Sequence, residues 1–87
     1  MRPRMKKAEV EQYLSRRSRE LAESGDHEDY MSIEYALRGE GYPEARGFLD
    51  SKILRWELNR LCNQARRARG LPLSPLAKDG DLPFRRY

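Results

Sequence analysis

Glycine and proline positions divide this chain into long segments without helix breakers, and that spacing constrains its fold more than any other feature. Residues 5–24 and 51–69 contain neither residue type. Their apolar side chains recur every three or four positions, as on one face of an amphipathic helix. The sequence also lacks the alternating pattern of a half-buried strand. It therefore predicts an all-α fold.

Helix-terminating residues set the expected boundaries. Gly25 and Gly70 suit the left-handed residue that follows a helix, and Pro43 suits the first turn of one. Asp26 and Asp50 are the predicted N-caps of the helices that follow them. We expect a small single-domain bundle of three long or medium helices plus one short helix, spanning residues 5–24, 27–39, 43–49 and 51–69. Residues 70–87, which include three prolines, are expected to form an extended C-terminal tail.

The first two helices differ in how their apolar residues are arranged. In helix one Arg17 falls inside a narrow apolar stripe, so its stem is expected to lie on the surface with its charged head in water. In helix two Met31 and Tyr35 lie apart from the main apolar face, so this helix is expected to pack on two sides at the centre of the core. The main apolar residues are Val10, Tyr13, Leu14 and Leu21 in helix one, and Tyr30, Ile33, Ala36 and Leu37 in helix two.

Size and charge limit the architecture further. The chain has 87 residues, of which 38% are hydrophobic and 37% charged, enough for one modest core. Its net charge of +4 combines three blocks. Residues 1–19 contain seven basic and two acidic residues, residues 20–50 contain two basic and nine acidic residues, and residues 51–87 contain nine basic and three acidic residues. Either the acidic middle neutralises the basic ends within the fold, or the basic ends form a surface for a polyanion.

Some classes of protein are disfavoured by the composition. The single cysteine, Cys62, forms no intramolecular disulfide, which favours a reducing compartment, the cytoplasm by default. The sequence has no apolar run of about 20 residues for a membrane span and no secretory signal. His27 stands among helix-capping acids without the ligand set of a metal site, and we find no phosphate-binding loop or nucleophile elbow. We therefore expect no catalytic activity, no metal and no cofactor.

Helix four has the most informative pattern, because its two faces differ in composition. One arc of its helical wheel is apolar and is expected to face the core. The opposite arc combines five basic residues and three amides with Trp56 and Ile53, and Glu57, at the edge of the apolar side, is the only acid of the helix. The apolar arc contains Leu54, Leu58, Leu61, Cys62, Ala65 and Ala68. The candidate binding residues are Lys52, Arg55, Trp56, Asn59, Arg60, Asn63, Arg66 and Arg67.

Two hypotheses fit this face. In the first, the chain is a DNA-binding protein with a helix-turn-helix-like layout, whose cations contact phosphates while Asn59 and Asn63 face the base edges of duplex DNA. Helix one then supplies the seam of a homodimer. In the second, the chain is an adaptor or inhibitor that engages an acidic protein surface through the same face or through exposed aromatic residues. A membrane partner is not expected, because the core needs the apolar arc. Against both hypotheses, Arg, Lys and Gln are common on solvated helix faces.

Overall fold

A computed structural model describes residues 4–73 of the chain. They form four helices: α1 (Lys7–Glu23), α2 (Tyr30–Gly39), α3 (Ala45–Phe48) and α4 (Lys52–Ala68). No strand occurs in this part of the chain, so the predicted all-α class, with three longer helices and one short one, is confirmed. Residues 74–87, most of the predicted extended tail, lie outside the described residues.

The helices pack around one core to which all four elements and their connections contribute. The most extensive contact is between α1 and α4, and α1 and α2 each contact the three other helices. The buried apolar residues, each less than a tenth exposed, are Val10, Leu14, Leu21, Ala22, Ile33, Leu37, Tyr42, Ala45, Leu49, Leu58 and Cys62.

Helix α2 packs on one face, not on two. Ile33 and Leu37 are fully buried, whereas Met31 is 49% exposed and Tyr35 is 81% exposed. The prediction that Met31 and Tyr35 form a second packing face is therefore wrong. The reason is that α3 is a single turn and α4 packs mainly along α1, which leaves no helix among the described ones to cover the outer side of α2.

Two helix starts differ from the predicted N-caps. Asp29, not Asp26, caps α2, because its Oδ1 accepts hydrogen bonds from the backbone N–H groups of Met31 (3.1 Å) and Ser32 (3.2 Å). For α4 the cap is the Ser51 side chain, which accepts from the backbone of the first turn at 3.3 Å. Aspartate and serine are both common N-caps. Residue type alone therefore did not identify which residue has the extended backbone of an N-cap.

The helix ends follow the glycines as predicted. Gly25, Gly41 and Gly70 have φ angles of +80°, +99° and +69°, a region that residues with a Cβ rarely adopt. After α4, the N–H of Leu71 bonds to the carbonyl of Arg66 at 2.8 Å, which completes a Schellman motif around Gly70. The chain therefore reverses direction at backbone positions that glycine makes accessible.

A polar clamp joins α1 to the end of α2. Glu40 accepts a hydrogen bond from the hydroxyl of Tyr13 at 2.8 Å and two from the guanidinium of Arg17 at 3.0 and 2.9 Å. The ring of Tyr13 also stacks on that of Tyr42, with centroids 4.5 Å apart. The Arg17 side chain is 35% exposed, so its head pairs with Glu40 at the surface of the fold.

Candidate partner-binding surface

The buried side of α4 includes two residues predicted to face a ligand. Asn59 is 9% exposed and Asn63 is 2% exposed. The side-chain oxygen of Asn59 accepts the backbone N–H of Tyr30 at 2.8 Å, so it serves the free donor at the start of α2, beside the cap of Asp29. The prediction that Asn59 and Asn63 face base edges is therefore wrong. The polarity of Asn59 matches a backbone group of the same chain.

Arg55 lies at the junction of α4 with the preceding turn and α2. Its guanidinium lies 4.6 Å from the centroid of the Tyr30 ring. Its Nε donates to the carbonyl of Leu49 at 2.6 Å, and its Nη2 lies 3.5 Å from a carboxylate oxygen of Asp50. This predicted site residue therefore holds neighbouring segments together, and its orientation depends on those contacts.

Two arginines near the end of α4 contact the loop between α1 and α2. Nη1 of Arg66 donates to the carbonyl of Gly25 at 3.0 Å. Nη1 of Arg69 donates to the carbonyl of Ser24 at 2.9 Å and to the carboxylate of Asp26 at 3.0 Å. Arg66 was predicted to contact a ligand, and the structure places it in the fold, where it ties the end of α4 to the loop that follows α1.

The outer side of α4 keeps the other predicted residues exposed or half-buried. Lys52 forms no hydrogen bond or ion pair within residues 4–73. Ile53 is 53% exposed, and the guanidinium of Arg60 lies 5.6 Å from the Trp56 ring centroid. Together with Arg19 of α1, these residues form what we call the basic–aromatic surface: Arg19, Lys52, Ile53, Trp56 and Arg60. Arg67 is exposed two turns beyond Arg60 on the same helix face.

Arg19 was not among the predicted residues. It enters the site because α1 packs along α4, where Arg19, Trp56, Glu57 and Arg60 line a shallow groove together with Leu61. Nη2 of Arg19 lies 3.8 Å from a carboxylate oxygen of Glu57, and both side chains are about half exposed. No pattern in the sequence indicates this contact, because Arg19 and Glu57 lie far apart along the chain and only helix packing brings them together.

Trp56 has an uncompensated polar group. Its indole Nε1 is buried and has no hydrogen-bond partner among the described residues. A buried donor without an acceptor costs about 1–3 kcal/mol of stability, and such exceptions to polar pairing are commoner at functional sites than elsewhere. The Trp56 indole is therefore less well accommodated by the free fold than the side chain of Asn59 on the other side of α4.

The predicted helix-turn-helix-like layout is absent. That layout needs two helices packed against each other across a short turn. Here α3 has four residues and does not pack against α4. Val10, Leu14 and Leu21 of helix one are buried within the chain, and the homodimer through this helix stays a prediction.

Other reactive or ligand-binding side chains are dispersed. Nδ1 of His27 lies 2.7 Å from the hydroxyl of Ser32, and no group of three metal-ligating side chains occurs within residues 4–73. Burial raises the pKa of the Cys62 thiol to about 12, so this group stays protonated at neutral pH. In the same part of the chain, no helix has both the length and the apolar character needed to cross a bilayer.

Comparison with known proteins adds no further assignment. No protein-family model matches the chain, no curated protein matches it, and no solved structure matches it. The functional argument therefore depends on the basic–aromatic surface itself.

Proposed function

We propose that this chain is a non-enzymatic binding module that engages an acidic protein surface through the basic–aromatic surface of α4. The observation that carries the proposal is the combination of exposed Ile53 and half-buried Trp56 with Lys52 and Arg60 on consecutive turns of one helix face. Aromatic and arginine side chains contribute most of the binding energy in many protein interfaces. Surrounding cations add charge complementarity to an acidic partner.

The distribution of polar groups favours a protein partner over duplex DNA. Reading DNA sequence requires side chains that reach base edges, and Asn59 and Asn63, the amides predicted for that role, are buried. A duplex bound through phosphates alone would use Lys52 and Arg60 but would gain little from Ile53. An acidic protein segment with apolar side chains uses all of these residues.

The stacked pair of Arg60 and Trp56 supports the same interpretation. The arginine lies over the indole without an ion-pair partner in the described part of the chain. A partner carboxylate on the other side of the guanidinium would form a charge-assisted hydrogen bond while the ring holds the guanidinium in place. Less side-chain entropy is then lost on binding than for an unsupported arginine.

The proposal is tested by site-specific photo-crosslinking in the cells that make the protein. A benzophenone amino acid replaces Ile53 in one variant and Tyr35, an exposed residue of α2, in the control. We expect position 53 to crosslink to an acidic segment of one protein, identified by peptide mass spectrometry, and position 35 not to do so. Adding K52E and R60E to the position-53 variant is expected to abolish that crosslink.

Three outcomes would contradict the proposal. Crosslinks from position 53 that map to nucleic acid would instead support the DNA hypothesis. Identical products from positions 53 and 35 would mean that the surface has no preferred partner. A product that persists unchanged with K52E and R60E would show that the cations of α4 do not contribute.

A further inference from the structure

Glu57 places one acid in the groove of the basic–aromatic surface. It is the only acid on α4, and it lines the same groove as Arg19, Trp56 and Arg60. Its side chain is 44% exposed, and its closest cation among residues 4–73, Arg19, lies 3.8 Å away and is 57% exposed. A partner placed on Trp56 and Arg60 therefore meets one negative charge among the positive ones.

Stability does not account for this acid. An exposed ion pair at the distance limit of a salt bridge contributes little to folding, because water and salt screen it. Glutamate also has no helix-forming advantage over glutamine that would explain its choice at this position. The main physical effect of Glu57 is then on what binds to the surface.

We infer that Glu57 is a specificity-determining residue that disfavours polyphosphates on this surface, an inference that rests on the proposed function. The phosphates of a duplex form continuous rows of charge, so a duplex seated on Arg60 also brings phosphate close to Glu57. A protein partner places its carboxylates at chosen positions and can set a neutral or donor group opposite Glu57. Selectivity of this kind arises from repulsion of the wrong ligand as well as from attraction of the right one.

The test compares Glu57→Gln with Glu34→Gln as a matched control. Glu34 of α2 also forms a weak ion pair on its own helix, 4.0 Å from Arg38, but lies outside the groove. A fluorescein-labelled, random-sequence duplex of 20 base pairs is titrated with each variant from 20 to 200 mM salt, and anisotropy is recorded. Quenching of Trp56, the only tryptophan of the chain, reports whether the duplex lies on this surface.

We expect E57Q to bind the duplex about fivefold more tightly than the wild type at low salt, since one repulsive charge is lost and Arg19 is freed. The slope of log affinity against log salt should steepen by about one, the change that one additional phosphate contact produces. E34Q should match the wild type in both quantities. Equal duplex affinities for E57Q and E34Q, or undetectable duplex binding by both, would overturn the inference.

A second ligand separates this inference from the proposed function. The ligand is a synthetic amphipathic peptide with leucine on one face and glutamate on the other. We expect E57Q to change peptide affinity less than duplex affinity, and a larger gain for the peptide would also overturn the inference. Because the crosslinking experiment does not alter Glu57 and the duplex titration requires no native partner, failure of this inference is distinguishable from failure of the proposed function.

Discussion

The two polar sides of α4 differ in what surrounds them. On one side, Asn59 and Arg66 meet backbone groups of the α1–α2 loop and of the first turn of α2. On the other side, Lys52 and Arg60 extend from the same helix with no hydrogen bond to residues 4–73. Residues of similar type on one helix therefore serve the fold on one side and remain accessible on the other.

This difference shows that the unpaired backbone groups at helix ends determine which polar side chains of α4 have a structural role. The first N–H groups of α2 and the carbonyls around Gly25 lack partners within their own helices. Wherever such groups are covered by α4, a polar side chain is needed to satisfy them. The outer side of α4 covers no helix end, so its polar groups are free to contact another molecule. The following predictions test this division.

The largest effect is expected at Asn59. Asn59→Leu keeps the branching and the number of side-chain heavy atoms but removes the acceptor for the part-buried N–H of Tyr30. We expect the free energy of unfolding to fall by about 2–3 kcal/mol, measured by urea denaturation followed by circular dichroism. The control is Gln64→Ala on the exposed side of the helix, with a change within about 0.5 kcal/mol. Similar losses of stability for Asn59→Leu and Gln64→Ala would show that the two sides of α4 do not differ in structural role.

The loop that receives the arginines gives the next largest effect. A Cβ at Gly25 would lie 2.8 Å from Cδ of Arg69, and its φ of +80° is strained for any other residue. We expect Gly25→Ala to destabilise the fold by about 2 kcal/mol. Gly47 is the matched control, because a Cβ there meets nothing within 4 Å. Gly47→Ala within α3 should be neutral or slightly stabilising. The measurement is the midpoint of thermal unfolding of both variants. An unchanged midpoint for Gly25→Ala would mean that α4 does not hold the loop between α1 and α2.

A direct comparison of two arginines tests the division at smaller scale. Arg66→Ala removes donors to the carbonyls of Gly25 and Pro72, and we expect a loss of about 1.5 kcal/mol. Among residues 4–73, Arg60→Ala removes only a contact with Trp56, so the loss should stay within about 0.5 kcal/mol. Urea unfolding curves of the two variants would be compared under one condition. An equal loss for both would place Arg60 in the structural group and remove it from the proposed binding surface.

The sequence predicted the helices well because their signals are local. A segment without glycine favours a helix, and Gly25 and Gly70 each favour a helix end within one or two turns. The structure has helix ends at these two glycines. The caps were less certain because Asp26 and Asp29 both suit an N-cap. In the structure Asp29 is the N-cap of α2, and Asp26 instead pairs with Arg69.

The binding surface could be predicted only in part, because its limits depend on tertiary contacts. The helical wheel assigned every basic and amide residue of α4 to the outer arc. It treats polarity as exposure, and so it placed Asn59 and Asn63 with the cations. It also had no means of finding Arg19, which reaches the groove from α1. The wheel correctly predicted that Lys52 and Arg60 are exposed, since these cations meet no helix end.

The smallest effect concerns the clamp between α1 and α2, where charge again serves the fold. Hydrogen bonds from Arg17 hold the pKa of Glu40 below its ordinary value of 4.5. The carboxylate therefore contributes stability above that value, and the contribution is lost as the pH falls through the lowered pKa. Because the pair is partly exposed, the contribution should be below about 1 kcal/mol.

We expect Glu40→Gln to reduce stability at pH 7 and to narrow its difference in stability from the wild type toward pH 3. Glu28→Gln, an exposed acid without a partner in residues 4–73, should show no such convergence in urea unfolding between pH 3 and 7. A constant gap for E40Q would mean that the clamp acts through packing of Tyr13 on Tyr42 and not through charge.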